Sequence, residues 1–492
     1  MKTTLTRRAA LGGMASALAT AALAEPPLRS LRPVARPGAP APVVRDAIDE
    51  VVARAGLGGV VGVAVADLET GAAFDLHNSA RPLPPASVGK TFSAQYALEH
   101  LGADHRFITR VIADGTISDG ILDGNLILVG GGDPTLLTDH LADAAARTKA
   151  AGLREVRGKF LVWNGALPYQ PLIDPDQMEH LGYNPALSGL NLNFNRVHFE
   201  WARNGGDYRV TMDARSEKYR PDVHMARMEV SNRDLPVYTY EDGGTEDRWT
   251  VARGALGNGG ARWLPVRHPE LYAGDVFRTF ARSHGITLSA PERASAIPGG
   301  TVLATLTSGP LTEIAQDMLK YSVNLTAEVL GLTTTQSRTG MARSIRSSAA
   351  EMNRWLLSDK GVAARMVDHS GLGDASRITA SGMVRFLSRP EVAGRLRPLL
   401  KDIPIRDAEN RAIPNHPVQV VAKTGTLNFV STLAGYIRTE GGGDRAFAIF
   451  AADLDRRAAS KQSGDEVPAG VRTWNRKARD LQQALLLRWG TV

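Results

Sequence analysis

Cysteine is absent from all 492 residues of the chain. Without it the chain can form no disulfide framework, no thiolate metal site and no cysteine nucleophile. The glycine-rich segment from Val129 to Pro134 matches neither the dinucleotide fingerprint nor the P-loop, so we interpret it as a tight turn. The 11 histidines show no His-Glu-x-x-His or other metal-ligand spacing. The sequence therefore predicts no cofactor and no metal.

A clustered basic strip is also missing. The formal charge of +7 includes Lys2, Arg7 and Arg8, which belong to an N-terminal segment that we expect to be removed. No basic helix and no basic strand interleaved with aromatic residues follows. A nucleic-acid partner is therefore not predicted, although the pI of about 9.6 is high.

The N-terminus indicates export. A twin arginine at Arg7-Arg8 precedes an Ala/Gly/Leu/Met-rich run to about Ala22, and Ala22-Leu23-Ala24 fits an A-x-A cleavage site. This pattern predicts a signal peptide over 1–24, of Sec or twin-arginine type, with an uncleaved anchor as the alternative. Six prolines make 25–42 an extended linker. No second membrane span follows, so no transmembrane anchor is predicted after cleavage.

The chain is organised around residues 84–101, where two prolines lead into Ser87-Val88-Gly89-Lys90 and a helical pattern. With Ser87 in the first turn, Lys90 lies one turn later on the same face, where its amine can meet the seryl oxygen. A serine is a poor nucleophile until an adjacent base takes its proton, and burial can lower a lysine pKa enough for that role. Alone the motif is weak evidence for catalysis, because a serine that caps a helix, followed by a solvent-exposed lysine, has the same sequence pattern.

Two further motifs follow in order and strengthen the first. Ser322-Val323-Asn324 precedes a helical segment, and Lys423-Thr424-Gly425 ends a buried β-branched strand that continues to Thr426. This set is typical of penicillin-binding proteins and class A β-lactamases.

The residue types suit acyl transfer from a peptide. Ser87 would attack, Lys90 would take its proton, Ser322 would pass the proton to the leaving nitrogen, and Asn324 would fix Lys90 and a substrate amide.

The third motif suits substrate recognition. Lys423 with the hydroxyls of Thr424 and Thr426 suits a free C-terminal carboxylate on a peptide added to the strand edge. Gly425 would let the substrate approach the backbone. The backbone N–H groups of Ser87 and Thr426 are the expected oxyanion donors.

From about 43 to 455 the chain resembles the class C low-molecular-mass penicillin-binding proteins, the D-alanyl-D-alanine carboxypeptidase/endopeptidases. Besides the three motifs, the resemblance rests on five further segments. They are Leu122-x-Gly124-Asn125-Leu126, Gly131-Gly132-Asp133-Pro134-Thr135-Leu136, Asn324-x-x-Ala327-Glu328, Asp368-x-Ser370-Gly371-Leu372 and Ala434-Gly435-Tyr436. The long separation of Ser87 from Ser322 is similar to that of the family, which carries two inserted domains there, one nested in the other.

The resemblance implies an α+β fold. A β-lactamase/transpeptidase-like domain, with an antiparallel sheet and helices on both faces, would occupy 43–100 and 266–492. Inserted α/β and nested β-rich domains would fill 101–265, with the nested one at about 190–255.

The resemblance also implies an activity and its partners. The chain is expected to act in the periplasm, to remove the terminal D-Ala from peptidoglycan stem peptides ending in D-Ala-D-Ala, and to hydrolyse D-Ala–diaminopimelate cross-links. β-Lactam antibiotics would act as covalent inhibitors of Ser87. His369 stands where the family usually has glycine, which leaves the side-chain specificity open. An acid should recognise the substrate amine, and Asp174 and Asp176 are the candidates.

Three other readings stay open. A serine β-lactamase would need a second base to activate water, and the sequence offers no convincing one. A non-catalytic β-lactam or cell-wall binding protein would not need all three motifs. A metal-dependent amidase would need ligand spacing that the histidines lack.

Overall fold

The computed structural model describes residues 46–491 except 298 and 408. The predicted signal peptide and proline-rich linker lie outside these residues. From Ala47 onward the described chain forms one unit. Within this part of the chain, no helix combines the length and the apolar character that a membrane crossing requires.

The fold is α+β, as predicted. The helices are α1 Ile48–Arg54, α2 Lys90–His100, α3 Thr138–Ala150, α4 Pro269–Ser283, α5 Leu311–Tyr321, α6 Asn324–Thr339, α7 Ile345–Ser358, α8 Ala380–Leu387, α9 Pro390–Leu396, α10 Leu454–Ser463 and α11 Val471–Gly490. The strands are β1 Val60–Asp67, β2 Ala73–His77, β3 Ile108–Ala113, β4 Thr116–Ser118, β5 Ile121–Asp123, β6 Leu126–Val129, β7 Glu155–Val156, β8 Phe160–Trp163, β9 Arg196–Asn204, β10 Asp207–Asp213, β11 Ala226–Ser231, β12 Tyr238–Asp242, β13 Asp247–Ala252, β14 Gly259–Pro265, β15 Pro291–Arg293, β16 Thr301–Thr307, β17 Lys401–Asp402, β18 Gln419–Leu427, β19 Val430–Arg438 and β20 Asp444–Ala452.

A six-stranded antiparallel sheet joins the two ends of the described chain in the order β17-β18-β19-β20-β1-β2. Strand β1 is buried on both faces, and successive side chains of a strand point to opposite faces. Val61, Val63 and Val65 pack in the core beneath α11, while Ala64 and Ala66 face the core that holds α2. Helices therefore cover both faces of the sheet, as predicted.

The C-terminal helix α11 confirms the amphipathic pattern predicted from about Val471 to Trp489. Its Trp474, Leu481 and Leu485 are buried against the sheet. This packing positions β18, the strand that carries the third motif.

The chain between α2 and α5 builds sheets of its own. Strands β15-β8-β6-β3-β16 form one, β4-β5-β7 a small one, and β9 to β14 form two three-stranded sheets, β10-β9-β14 and β11-β13-β12. Helix α4 packs in the same core as these strands. We propose from this pairing that the insertion ends near residue 307 and that its nested part spans 196–265.

This boundary differs from the predicted return to the first domain at 266. Strand β16 pairs with β3, and β15 pairs with β8, so 291–307 belong to the inserted sheet. The sequence of the amphipathic α4 does not indicate which sheet the helix covers. The boundary that we propose follows from the long-range pairing of β15 and β16.

Candidate active site

The three sequence motifs meet in one place. The Nζ atom of Lys90 lies 3.0 Å from Ser87 Oγ and 2.7 Å from Asn324 Oδ1. The Nζ atom of Lys423 lies 3.0 Å from Ser322 Oγ. These bonds form two groups, and Ser87, Asn324 and Ser322 line the same cavity although more than 200 positions separate Ser87 from the other two.

Ser87 sits in a 3-10 turn over Ala86–Gly89, directly before α2. The preceding Ala86 has φ 45°, a left-handed conformation that non-glycine residues rarely adopt. The hydroxyl of Thr432 on β19 holds the turn by donating to the Pro85 carbonyl at 2.8 Å. Strain of this kind persists only where the surroundings enforce it, and here it presents the serine at the end of a rigid helix.

Gly425 is required by the same close packing. A Cβ atom there would lie 2.2 Å from Thr432 Oγ1 and 2.9 Å from the backbone nitrogen of Ser87. The role predicted for this glycine, a close approach of substrate to the backbone, stays a prediction, and the structure adds a second reason for glycine. The neighbour that demands glycine is the serine turn itself, whose backbone reaches strand β18.

Lys90 is fully buried, and burial lowers its pKa to about 8 although Asp368 and Glu328 oppose the shift. Its amine has three neighbours: Ser87 Oγ, Asn324 Oδ1 and the Ser370 carbonyl oxygen at 2.8 Å. Two of them can only accept hydrogen bonds, whereas the serine hydroxyl can also donate.

Ser322 ends α5 in a left-handed conformation with φ 61°, and Asn324 begins α6. The Nδ2 atom of Asn324 donates to the Tyr183 carbonyl oxygen at 2.9 Å. The inserted region therefore contributes to the site, which the sequence motifs did not reveal. The second N–H of the Asn324 amide group is left for another acceptor.

Lys423 is buried, and its pKa lies well below the usual value because of burial and the positive charges of Lys90 and Lys401. It donates to Ser322 Oγ and, at 2.8 Å, to the Thr424 carbonyl oxygen. Thr426 is exposed and lines the cavity. Thus the third motif supplies one buried, poorly solvated amine and one accessible hydroxyl.

Two buried acids support the site without lining it. Glu328, one turn along α6 from Asn324, accepts the backbone N–H groups of His369 and of Ser370, the latter at 2.8 Å. Asp368 accepts the N–H of Gly371 at 2.7 Å. Burial raises the pKa of both carboxyls. These bonds fix the loop whose Ser370 carbonyl holds Lys90; in the sequence only their place in family segments indicated them.

His369 does not line the site. Its ring is fully buried, its Nε2 lies 2.8 Å from Ser348 Oγ, and burial lowers its pKa to about 3. A Cβ atom at Gly331 on α6 would lie 2.1 Å from the ring. The imidazole therefore occupies space that the absence of a side chain at Gly331 leaves open. Since His369 does not line the cavity, it cannot change the side-chain specificity by touching the substrate.

A cavity of about 330 Å³ lies in front of the motifs. Ser87, Ser322, Asn324 and Thr426 line it, together with residues from the insertion and from the C-terminal region. The further charged or polar lining residues are Gln177, Tyr183, Asn428, Arg457, Glu466 and Asn475.

The two charged groups in this lining are already paired. Arg457 is buried and donates to Asp374 and to the Asn428 carbonyl oxygen. Glu466 accepts two bonds from Arg262 at 2.9 and 3.0 Å, and His180 and Arg262 lower its pKa to about 2.

Neither acid suggested for the substrate amine lines the cavity. Asp174 is buried and accepts the N–H of Asp176 and the side-chain amide of Gln177. The Asp176 carboxylate is exposed and lies 3.5 Å from Lys461. Both assignments are therefore withdrawn, because the sequence places both residues in the insertion without showing where their carboxylates point.

One group of potential metal ligands occurs in the described part of the chain: His198, Glu200 and Asp213 on β9 and β10. The guanidinium of Arg215 lies 2.6 Å from Glu200 Oε2 and 2.7 Å from Asp213 Oδ2. A side-chain cation thus neutralises these carboxylates.

The chain is similar to known proteins over most of its length. The model of one protein family, described as D-Ala-D-Ala carboxypeptidase 3 (S13), matches residues 44–469. A D-alanyl-D-alanine carboxypeptidase of Actinomadura sp. (strain R39) is 30% identical over 456 residues, 82% of this chain and 80% of that protein. The D-alanyl-D-alanine carboxypeptidase DacB of Haemophilus influenzae is 23% identical over 396 residues, 76% of this chain and 81% of that protein.

Solved structures show the same fold. Penicillin-binding protein 4 of Haemophilus influenzae superposes with a TM-score of 0.71 at 19% identity, covering 90% of this chain and 100% of that chain. Its complex with a novel β-lactam gives a TM-score of 0.69 at 20% identity with the same coverage.

Proposed function

We propose a mechanism for this chain on the premise that it belongs to the D-Ala-D-Ala carboxypeptidase 3 (S13) family, whose members are serine peptidases. The chain is a D-Ala-D-Ala carboxypeptidase and a penicillin-binding protein. Our proposal concerns the residues that carry the reaction. The observation that supports it best is the buried contact of Lys90 with Ser87, Asn324 and Ser370.

Ser87 is the nucleophile and Lys90 its base. A neutral amine has two N–H groups and one lone pair. With the N–H groups on the Asn324 and Ser370 oxygens, the lone pair is left for the hydroxyl proton of Ser87. Burial lowers the Lys90 pKa to about 8, so about a tenth of the amine is neutral at pH 7, far more than for a solvated lysine.

Acylation then follows in balanced steps. Ser87 Oγ attacks the carbonyl of the penultimate D-Ala, and its proton moves to Lys90. The oxyanion accepts the backbone N–H groups of Ser87 and Thr426. Ser322, bonded to Lys423, gives its hydroxyl proton to the leaving nitrogen as the C–N bond breaks, and takes in its place the proton that Lys90 received from Ser87. In the second half water attacks the seryl ester, neutral Lys90 takes the water proton, and that proton returns to Ser87 Oγ as the ester C–O bond breaks.

Lys423 recognises the free carboxylate of the terminal residue. A buried, poorly solvated ammonium gains more from an anion than an exposed one does, because water does not compete for it. The exposed Thr426 hydroxyl adds a donor at the cavity wall, and Thr424 lies next to the lysine on β18. Asn324 keeps one N–H for the substrate amide.

Three wider features belong to the same proposal. The substrates are peptidoglycan stem peptides ending in D-Ala-D-Ala, and cross-links between such peptides are also hydrolysed. β-Lactams acylate Ser87. The place of action is the periplasm, reached with the N-terminal signal peptide. The support comes from the family and from the resemblance of the sequence motifs.

The β-lactamase alternative is not favoured. A base that activates water for rapid deacylation must reach the cavity. Among the described lining residues the acid is Glu466, whose carboxylate is paired with Arg262, and Glu328 is buried behind the site.

The test is D-Ala release from a peptide ending in D-Ala-D-Ala. Ser87→Ala should lower kcat by about a thousandfold or more with unchanged thermal unfolding. Ser337→Ala, at an exposed position of α6, is the matched control and should keep the wild-type rate. Equal rates for Ser87→Ala and wild type would refute the nucleophile assignment.

A further inference from the structure

A second cavity of about 510 Å³ adjoins the candidate active site. It shares Tyr183, Ser322 and Asn324 with the first cavity, whereas Ser87 lines only the first. The hydrogen bond from Asn324 Nδ2 to the Tyr183 carbonyl forms part of the wall between them. The second cavity therefore lies beside Ser322, the residue to which we assign proton delivery to the leaving group.

Most of this cavity is apolar. Ile314 and Met318 of α5 line it with Val323 and Leu325 at the start of α6. Such a surface suits the aliphatic part of a ligand, whereas a few polar groups fix its orientation.

Arg196 is the cation of this cavity. Its guanidinium carbon lies 5.3 Å from the centre of the Phe194 ring and 5.4 Å from that of Trp263. Within 46–491, omitting 298 and 408, no carboxylate forms an ion pair with Arg196, not even that of Asp317, which lines the same cavity, and its Nε is buried without a hydrogen-bond partner. Burial lowers the pKa of Arg196. An unpaired half-buried charge is costly, and an anion would offset that cost.

The backbone that presents Arg196 is strained and firmly held. Asn193, Phe194 and Asn195 all have positive φ, between 51° and 59°. The side chain of Asn193 bonds to the backbone and hydroxyl of Thr138, and that of Asn195 bonds to the Ala186 carbonyl. Left-handed residues in succession are rare, and strain of this kind clusters at ligand sites.

We propose that this second cavity binds the leaving peptide strand of a cross-linked substrate, with Arg196 pairing a carboxylate of that strand. The inference rests on the proposed function. A single D-Ala leaving group is too small to need a further 510 Å³, whereas a peptide leaving group continues beyond the carboxylate that Lys423 holds. Arginine forms bidentate, charge-assisted hydrogen bonds with peptide carboxylates. The aliphatic carbons of the leaving strand would fill the apolar part of the cavity.

The test compares two substrates and two leaving strands. A cross-linked muropeptide dimer and a monomer ending in D-Ala-D-Ala are hydrolysed by wild type and by Arg196→Met, which keeps the apolar stem. The dimer should lose about tenfold more kcat/KM than the monomer. Amidating the carboxylates of the leaving strand away from the scissile bond should cost wild type a similar factor and Arg196→Met little. Arg196→Lys should recover part of the loss.

Arg282→Met, at an exposed position of α4, is the charge-matched control and should behave like wild type. Equal losses for dimer and monomer in Arg196→Met would overturn the inference, as would equal cleavage of carboxylate and amide dimers by wild type. Cleavage of the monomer without any cleavage of the dimer would also overturn it, and would leave the proposed carboxypeptidase mechanism intact. If wild type hydrolysed neither the dimer nor the monomer, both this inference and the proposed carboxypeptidase mechanism would be refuted.

Discussion

The amine nitrogen of Lys90 lies 3.0 Å from the hydroxyl oxygen of Ser87, and the lysine is completely shielded from solvent. The two other neighbours of this amine, Asn324 Oδ1 and the Ser370 carbonyl, are acceptors. The arrangement orients a neutral lysine so that its lone pair faces the serine. In the proposed mechanism the protonation state of Lys90 therefore controls the reaction.

The acylation rate should depend on pH through Lys90. Its pKa is lowered to about 8, so the neutral, basic fraction grows as pH rises toward that value. The rate of acylation by benzylpenicillin should increase about tenfold per pH unit below 8 and level off above it. Stopped-flow measurement of acylation from pH 6 to 9 checks this. A flat profile across that range would contradict Lys90 as the base.

Arginine at position 90 is the matched control for the pH profile. It keeps the positive charge, but its pKa is too high for it to act as a base. We therefore expect Lys90→Arg to be inactive at every pH at which the protein stays folded. Substantial acylation by this variant would mean that another group removes the proton.

Removing Lys423 should affect substrates with a free carboxylate most. Lys423→Ala should lower kcat/KM for a peptide ending in D-Ala-D-Ala by about tenfold to a hundredfold, because a charge-assisted hydrogen bond is lost. The same peptide with a C-terminal amide should lose much less. Lys218→Ala, at an exposed position between β10 and β11, serves as the control and should keep the wild-type preference. Equal losses on both peptides would remove the carboxylate role.

Gly331 and His369 should be strongly coupled in stability. Gly331→Ala places a methyl group about where the imidazole lies, so the free energy of unfolding should fall by about 3 kcal/mol. In a His369→Ala background the same change should be nearly neutral or stabilising, since alanine favours helices over glycine by about 1 kcal/mol. Urea unfolding of the four proteins measures the coupling. Additive effects would contradict the packing described for this ring.

The sequence predicted the parts of the site that lie in short motifs. Ser87-x-x-Lys90 works through one helical turn, so local spacing was enough to place the serine beside the lysine. The ordered motifs at Ser322 and Lys423 likewise predicted the residues that the structure brings together.

Contacts between distant segments of the chain could not be predicted from the sequence. The sequence around Tyr183 does not indicate that its carbonyl accepts a hydrogen bond from Asn324. Likewise, the sequence does not indicate that Asp374 pairs with Arg457. The boundary that we propose for the insertion differs from the predicted one for the same reason, since β16 pairs with β3, about 190 residues earlier in the chain. Because histidine stands at 369 where the family usually has glycine, the sequence suggested a change in the site. The structure instead places the ring against Gly331.

The measurement that tests the central claim most directly is incubation of the protein with benzylpenicillin, followed by intact-mass and peptide mass spectrometry. The account predicts a stable penicilloyl adduct on Ser87 and none on the Ser87→Ala variant. Rapid turnover of the drug without an adduct, or labelling of another serine, would contradict it.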